Sequence, residues 1–130
     1  AAAPLMRSYL PKNFALGQHS RAAAAWALGL IHENDPQHDL IAIMLERLND
    51  TESLEPETAE VRQMCAVSIG RMNAESALPN LRENAGSEAA ASRACDWAIE
   101  RMTGEPVPVF TAHRSEVGGW FLSPIPDSSQ

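Results

Sequence analysis

The sequence predicts an all-α protein in which repeated pairs of helices stack into an α–α superhelix. One observation is the stretch from Val61 to Asn73, where apolar or small residues recur at the spacing of one helix face. A second observation is that the same spacing occurs twice more, 41 residues earlier and 30 residues later. A third is composition, because hydrophobic residues make up 45% of the 130 residues but aromatic residues only 5%. Alanine and aliphatic side chains must therefore do the packing, which favours closely approaching helices over a sheet sandwich.

The three copies of this face share a pattern of small and aliphatic side chains. They comprise Ser20, Ala23, Ala24, Ala27, Leu28 and Ile31, then Val61, Met64, Cys65, Ser68, Ile69 and Met72, then Ala91, Ala94, Cys95, Ala98, Ile99 and Met102. The middle copy has a neighbour on each side. We therefore expect Met64, Cys65, Ile69 and Met72 to form the core.

Turn and cap signals place the helices in order. We expect helical repeats over residues 1–103, with a partial repeat at 1–10, full repeats at 20–49 and 60–85, and a last first helix at 89–102. Asn34-Asp35-Pro36 is interpreted as a turn with a helix N-cap followed by proline at the first helical position. Pro79 is expected in the first turn of its helix, where a missing N–H is harmless, and Gly86 is expected to end that helix.

The opening of the chain matches the later segment around Leu81. Pro4 and Pro79 are 75 residues apart, and so are Arg7 and Arg82. We therefore expect residue 1 to lie inside the second helix of a repeat, and the chain to be the C-terminal fragment of a longer array.

The segment 104–130 has a different character. Its glycine and proline residues exclude another helix, yet it holds Phe110, Trp120 and Phe121, three of the seven aromatic residues. Disordered linkers seldom concentrate aromatic residues in this way. We predict an extended tail that caps the last helix, as terminal segments of repeat proteins do. The alternative is that the tail itself binds a partner through Trp120 and Phe121.

The helical pairs resemble HEAT repeats, and most closely the short bacterial HEAT-like repeats of the phycobilisome-lyase type. The resemblance rests on repetition and on three phrases, Arg-Ala-Ala-Ala-Ala-Trp-Ala-Leu-Gly, Val-Arg-Gln-Met-Cys-Ala-Val-Ser-Ile-Gly and Glu-Ser-Ala-Leu-Pro-Asn-Leu. It covers roughly residues 1–103, and its last copy departs from the pattern with Glu100 where Gly29 and Gly70 stand. The resemblance implies an α-solenoid whose first helices form a convex layer and whose second helices line a concave, protein-binding surface.

Outward positions of the second helices are the contact residues that this resemblance implies. They are Tyr9, Glu46, Asn80, Glu83 and Asn84. The alternative interpretation is that these side chains are simply solvated helix faces.

Charge limits the kind of partner. The formal net charge of −7 argues against nucleic acid and anionic membranes, and favours a neutral or basic protein. The longest apolar run, 22–31, is about half of the roughly 20 residues needed to span a bilayer, so we expect no membrane insertion. The acidic loop 50–60 is either a solvated insertion or a contact for a basic partner through Asp50, Glu52, Glu55 and Glu57.

Two arginines and two cysteines occupy equivalent positions in successive repeats. In the family an arginine at the position of Arg21 and Arg62 commonly braces a neighbouring turn by pairing with an acid, for which Asp35 and Glu75 are candidates. The alternative is that these arginines form an anion site. The cysteines Cys65 and Cys95 should lie about one helix spacing apart, roughly 8–10 Å, beyond the reach of a disulfide. We interpret both as reduced core thiols.

Catalytic and cofactor signals are weak. A HEAT-like di-iron site needs several His-Glu dipeptides at equivalent places, and His32-Glu33 stands alone. A lyase would need a tetrapyrrole pocket, for which Trp26 and Trp97 in matching columns are the only hint, and inter-repeat packing explains them as well. The sequence therefore predicts a non-enzymatic scaffold or protein-interaction module with no catalytic, metal or cofactor residues. The alternative is a regulatory or substrate-binding segment of a larger enzyme, such as a bilin lyase-like protein.

Overall fold

The structure is a computed structural model that describes residues 3–13 and 15–107. Within these residues the fold is all-helical, as predicted. The helices are α1 (Ala3–Arg7), α2 (Gln18–Ile31), α3 (His38–Leu48), α4 (Ala59–Arg71), α5 (Leu78–Asn84) and α6 (Ala90–Thr103), with a 3-10 turn at Glu75–Ala77. The predicted capping role of the tail, including Phe110, Trp120 and Phe121, falls outside the described residues.

The long helix α4 lies between α2 and α6 and packs against both. Each short helix packs most extensively on the long helix that follows it, so that α1 contacts α2, α3 contacts α4 and α5 contacts α6. The structure therefore has a row of three long helices, each carrying one short helix.

The predicted core is confirmed in α4. Met64, Cys65, Ile69 and Met72 are all fully buried. The helix begins at a regular N-cap, where Oγ1 of Thr58 accepts a hydrogen bond of 3.3 Å from the backbone N–H of Val61. Because α4 has long helices on two sides and α3 on a third, even the polar residues Gln63, Ser68 and Arg71 are buried.

Glycines let the long helices approach closely at two equivalent places. A Cβ atom added to Gly29 would lie 2.7 Å from Cα of Ser68, and one added to Gly70 would lie 2.7 Å from Cβ of Ala98. In addition, the hydroxyl of Ser68 donates a hydrogen bond to the carbonyl of Ala25. A close contact between a glycine and a small residue thus joins α2 to α4 and, in the same way, α4 to α6.

The first copy of the repeated face is less buried than the other two. Ser20, Ala23 and Ile31 are exposed, with Ile31 at 48% exposure, whereas Ala24 and Leu28 are buried. The buried face of α2 is displaced from this copy, because it also includes Arg21, Ala22, Ala25 and Gly29.

One predicted cap is wrong. The segment Asn34-Asp35-Pro36 does not begin a helix, because α3 starts at His38 with Gln37 as its N-cap. Asn34 instead has a positive φ of 57°, and its N–H donates a hydrogen bond of 2.8 Å to the carbonyl of Arg71 at the end of α4. The asparagine therefore joins α2 to α4 rather than capping α3.

The other two turn predictions agree with the structure. Pro79 lies in the first turn of α5, although that helix has no side-chain cap. Gly86 follows the end of α5 with a φ of 89°, a conformation that glycine adopts readily.

Candidate protein-contact surface

Side chains link the three short helices to one another. Nη1 of Arg7 in α1 donates a hydrogen bond of 2.8 Å to Oδ2 of Asp39 in α3. Asn49, at the end of α3, donates to Oδ1 of Asn80 at 3.0 Å and accepts from Nδ2 of Asn84 at 2.8 Å. These contacts join the three short helices, and we call the side chains of Arg7, Asp39, Glu46, Asn49, Asn80, Glu83 and Asn84 the short-helix surface.

The structure brings together two of the five predicted second-helix contact residues. Asn80 and Asn84 are half-buried neighbours, and Nδ2 of Asn84 also donates to the carbonyl of Asn80 at 2.9 Å. Glu46 is 76% exposed and pairs with Arg47 at 3.1 Å, while Glu83 is exposed and makes no hydrogen bond to a described residue. Tyr9 is half-buried, and its backbone carbonyl accepts a hydrogen bond from Nε of Arg21 at 3.1 Å.

Sequence reasoning missed Asn49, which bonds to both Asn80 and Asn84. It lies just past the end of α3, outside the helical positions that periodicity selects, so its contact with α5 has no local signal. The side-chain amide of Asn80 donates to no described residue, and an amide carries both donors and acceptors. The resulting group of three asparagines is able to hydrogen-bond a main-chain N–H or C=O of another protein.

The acidic loop 50–60 is not a simple solvated insertion, because Glu57 is buried. Its two carboxylate oxygens accept hydrogen bonds of 2.8 and 2.7 Å from Arg21, and Oε2 also lies 3.2 Å from Nη1 of Arg47. The side chains of Arg21 and Glu57 are 1% and 0% exposed. Glu57 is therefore not available to a basic partner, and that part of the sequence prediction is wrong.

Asp50 also has partners inside the protein. Its carboxylate lies 2.7 Å from Nζ of Lys12, which in turn donates to the carbonyl of Glu55 at 2.6 Å. The Asp50 side chain is only 10% exposed, whereas that of Glu52 is 64% exposed. Of the four acidic residues predicted for a basic partner, only Glu52 and Glu55 are exposed, so that contact would rest on those two residues.

The arginines at equivalent repeat positions make equivalent backbone contacts. Nη2 of Arg21 donates to the carbonyl of Leu10 at 3.0 Å, and Nε of Arg62 donates to the carbonyl of Leu48 at 2.8 Å. Each arginine thus braces the turn after the preceding short helix. The prediction that Asp35 and Glu75 are their acidic partners is wrong. Arg21 pairs with Glu57, and Nη2 of Arg62 lies 3.5 Å from Oδ1 of Asn84.

The buried cluster of Arg21, Arg47 and Glu57 makes the stability of the protein depend on pH. Burial acts to raise the pKa of Glu57, but hydrogen bonds from Arg21 and from the Thr58 N–H outweigh it, and the pKa lies below its ordinary value. As the pH falls, the unfolded chain therefore takes up this proton before the folded protein does. The stability contributed by ionised Glu57 is complete above about pH 5 and is lost as the pH falls through roughly 4 towards the folded pKa.

We expect the free energy of unfolding, measured by urea denaturation, to fall between about pH 5 and pH 3. The Glu57→Gln variant should show a shallower fall, because it lacks this proton uptake. A Glu55→Gln variant, which removes an exposed carboxylate of the same loop, should keep the slope of the unchanged protein. If the free energy of unfolding had the same pH dependence in the unchanged protein and in Glu57→Gln, ionised Glu57 would not be the source of this stability.

The remaining chemical candidates lie in structural contacts. Glu33 pairs with Arg101 at 3.1 Å, and Nδ1 of His32 lies 3.9 Å from Asp35. No group of three or more histidine, cysteine, aspartate or glutamate side chains suited to a metal occurs in 3–13 and 15–107. The His32-Glu33 dipeptide therefore has no described companion ligands.

The cysteines Cys65 and Cys95 lie in the core, and the tryptophans Trp26 and Trp97 pack against it. Cys65 and Cys95 are buried free thiols, and burial raises the pKa of each to about 12, which suits the predicted core role. The guanidinium carbons of Arg71 and Arg101 lie 5.5 and 5.9 Å from the ring centre of Trp97, within the range of cation–π contacts. Trp97 therefore packs with arginines of α4 and α6.

None of the described helices combines the length and apolar character needed to cross a membrane. Comparison of the chain with family models, with curated proteins and with solved structures gives no match. The helices of the described residues define the class of the protein as all-α.

Proposed function

We propose that the chain is a HEAT-like helical-repeat module of the α-solenoid type, and that it binds a protein partner without catalysing a reaction. The observation that carries the proposal is the recurrence of the same contacts between successive long helices. Gly29 meets Ser68 as Gly70 meets Ala98, and Arg21 and Arg62 bond the backbone at the ends of successive short helices. Contacts that recur at equivalent positions are the mark of a repeat protein.

The short-helix surface is the part of the module that we assign to the partner. It combines a group of hydrogen-bonding amides, Asn49, Asn80 and Asn84, with the exposed carboxylates of Glu46 and Glu83. Amides suit recognition of peptide main chain, and carboxylates suit lysine or arginine side chains. A neutral or basic protein fits this chemistry and the net charge of −7.

Photo-crosslinking tests the assignment. A photoreactive amino acid is placed at Glu83 on the short-helix surface or, as control, at Glu100 on α6, and cross-linked proteins from the source cells are identified. We expect one protein to cross-link from position 83 and not from position 100. Cross-linking of the same proteins from both positions would overturn the proposed surface.

Binding of the identified partner is then measured with purified proteins. We expect Glu83→Lys to weaken binding by about tenfold, with the effect shrinking at high salt, because it reverses an exposed charge within the contact. The matched control is Glu100→Lys, which reverses an exposed charge elsewhere. Since the side chain of neither glutamate makes a described hydrogen bond or ion pair, both variants should fold normally. Equal affinities for the two variants would refute the role of Glu83.

A further inference from the structure

A pocket of about 280 Å³ lies between α5 and α6, and none of the side chains that define the short-helix surface lines it. Ala85 and Gly86, directly after α5, form one side, and Glu105 and Pro106, directly after α6, form another. Asp96 and Ile99 of α6 complete the lining together with Arg82. We call this cavity the α5–α6 pocket.

Asp96 is the unusual residue of the pocket. It is only 6% exposed, and its Oδ2 atom is buried without a hydrogen-bond partner in the described part of the chain. Burial raises the pKa of this carboxyl group, an effect that the backbone N–H of Gly86 and the charge of Arg93 only partly oppose. A buried polar atom without a partner is costly, and a rotation of the Asp96 side chain that turned Oδ2 toward the pocket would let a ligand donate to it.

The nearest cation in the lining already has a partner. Nη1 and Nη2 of Arg82 donate to the two carboxylate oxygens of Glu105 at 2.9 and 2.8 Å. Arg82 and Glu105 therefore neutralise each other, and Asp96 is left as the unbalanced charge of the lining. The pocket also adjoins the C-terminal ends of two helices, whose unpaired carbonyl groups carry partial negative charge. Both features favour a bound cation.

We propose that the α5–α6 pocket binds a primary ammonium group carried on a short alkyl stem. The ammonium donates to Oδ2 of Asp96, and the stem lies against the apolar side chains of Ala85, Ile99 and Pro106. An ammonium group fits better than a guanidinium, because a guanidinium favours a bidentate acceptor and the carboxylate of Glu105 is already paired with Arg82. This chemistry belongs to a lysine side chain of another protein and to free alkylamines. The inference does not depend on the proposed function of the short-helix surface.

The test is an NMR titration of the full 130-residue chain with n-butylammonium chloride at neutral pH and constant ionic strength. We expect saturable shifts of the backbone amide signals of Gly86, Asp96 and Ile99. We expect 1-butanol, which has the same stem without the charge, to bind at least about tenfold more weakly, a difference of about 1.4 kcal/mol. Absence of saturable shifts, or equal binding of the alcohol, would overturn the proposal.

Variants identify the acceptor. Asp96→Asn keeps the size of the side chain and removes its charge, so the affinity for n-butylammonium should fall by at least about tenfold. Glu100→Gln removes an exposed carboxylate from the same helix and should leave the affinity unchanged. The spectra report in the same experiment whether each variant is folded. Equal affinity in the Asp96→Asn variant and the unchanged protein would reject Asp96 as the acceptor.

The two sources of the ammonium are distinguished with a lysine derivative whose α-amino and α-carboxyl groups are blocked as amides and whose ε-ammonium group is free. Binding of this compound at the same residues supports a lysine side chain of a partner protein as the occupant. Binding of n-butylammonium alone supports free alkylamines, because the pocket then excludes a stem attached to peptide. Binding of neither compound refutes the site.

Discussion

Replacing Glu57 with glutamine is expected to lower the free energy of unfolding by about 3 kcal/mol or more. The carboxylate of Glu57 is fully buried between Arg21 and Arg47, and it is the acceptor for both Nη atoms of Arg21. Glutamine has nearly the same shape but one acceptor oxygen and no charge, so it leaves two guanidinium groups under-compensated. Removing one partner of a buried ion pair costs much more than breaking an exposed pair.

The measurement is urea denaturation followed by far-ultraviolet circular dichroism at pH 7. Glu55→Gln is the matched control, since it makes the same chemical change at an exposed position of the same loop and should alter stability by less than about 0.5 kcal/mol. The buried-cluster assignment would be wrong if the two variants had the same midpoint.

Replacing Gly70 with alanine is expected to destabilise the protein by about 1–3 kcal/mol. In an exposed helix the same change usually stabilises by about 0.8–1.0 kcal/mol, because alanine is the better helix former. Here the new methyl group would lie 2.7 Å from Cβ and 2.9 Å from Cα of Ala98, so α4 and α6 must move apart. A loss of stability, in place of the usual gain, would therefore show that α4 and α6 approach closely at Gly70.

Gly17→Ala is the control for this prediction. Gly17 has a φ of −62°, which alanine adopts freely, and the nearest atom to an added Cβ is Oγ of Ser20 at 3.9 Å. At this N-cap of α2 alanine is a poorer cap than glycine, but it also lowers the entropy of the unfolded chain. Because these two effects oppose each other, we expect Gly17→Ala to change the free energy of unfolding by less than about 0.5 kcal/mol in the same denaturation experiment. A Gly70→Ala variant as stable as Gly17→Ala would show that α4 and α6 are not packed as described.

The buried cluster also changes how the acidic loop must be tested for binding. Neutralising Asp50, Glu52, Glu55 and Glu57 together would disrupt the ion pairs of Lys12, Arg21 and Arg47, and the protein would lose stability along with any binding. Neutralising Glu52 and Glu55 alone leaves the Asp50 and Glu57 pairs in place. Only that pair of changes separates a contact with a basic partner from a loss of the fold.

Local sequence patterns were enough to predict the three long helices and the buried core around α4. Helical spacing of small and apolar residues identified α2, α4 and α6, and the two neighbouring copies marked α4 as the buried centre, where Met64 and Ile69 are fully buried. Gly86 and Pro79 likewise marked the end and the start of α5, because their effects act on the backbone of their own turn.

Only the tertiary structure decided which distant groups meet. Glu57 lies in an acidic loop with no helical period, and nothing local distinguishes it from Glu55, yet the path of the chain places it between Arg21 and Arg47. Asn34 looks like a helix cap in sequence, but α4 supplies the carbonyl that holds it in a different role. Periodicity records which face of a helix is buried, whereas the partner of a polar side chain depends on how loops and helices far apart in sequence come together.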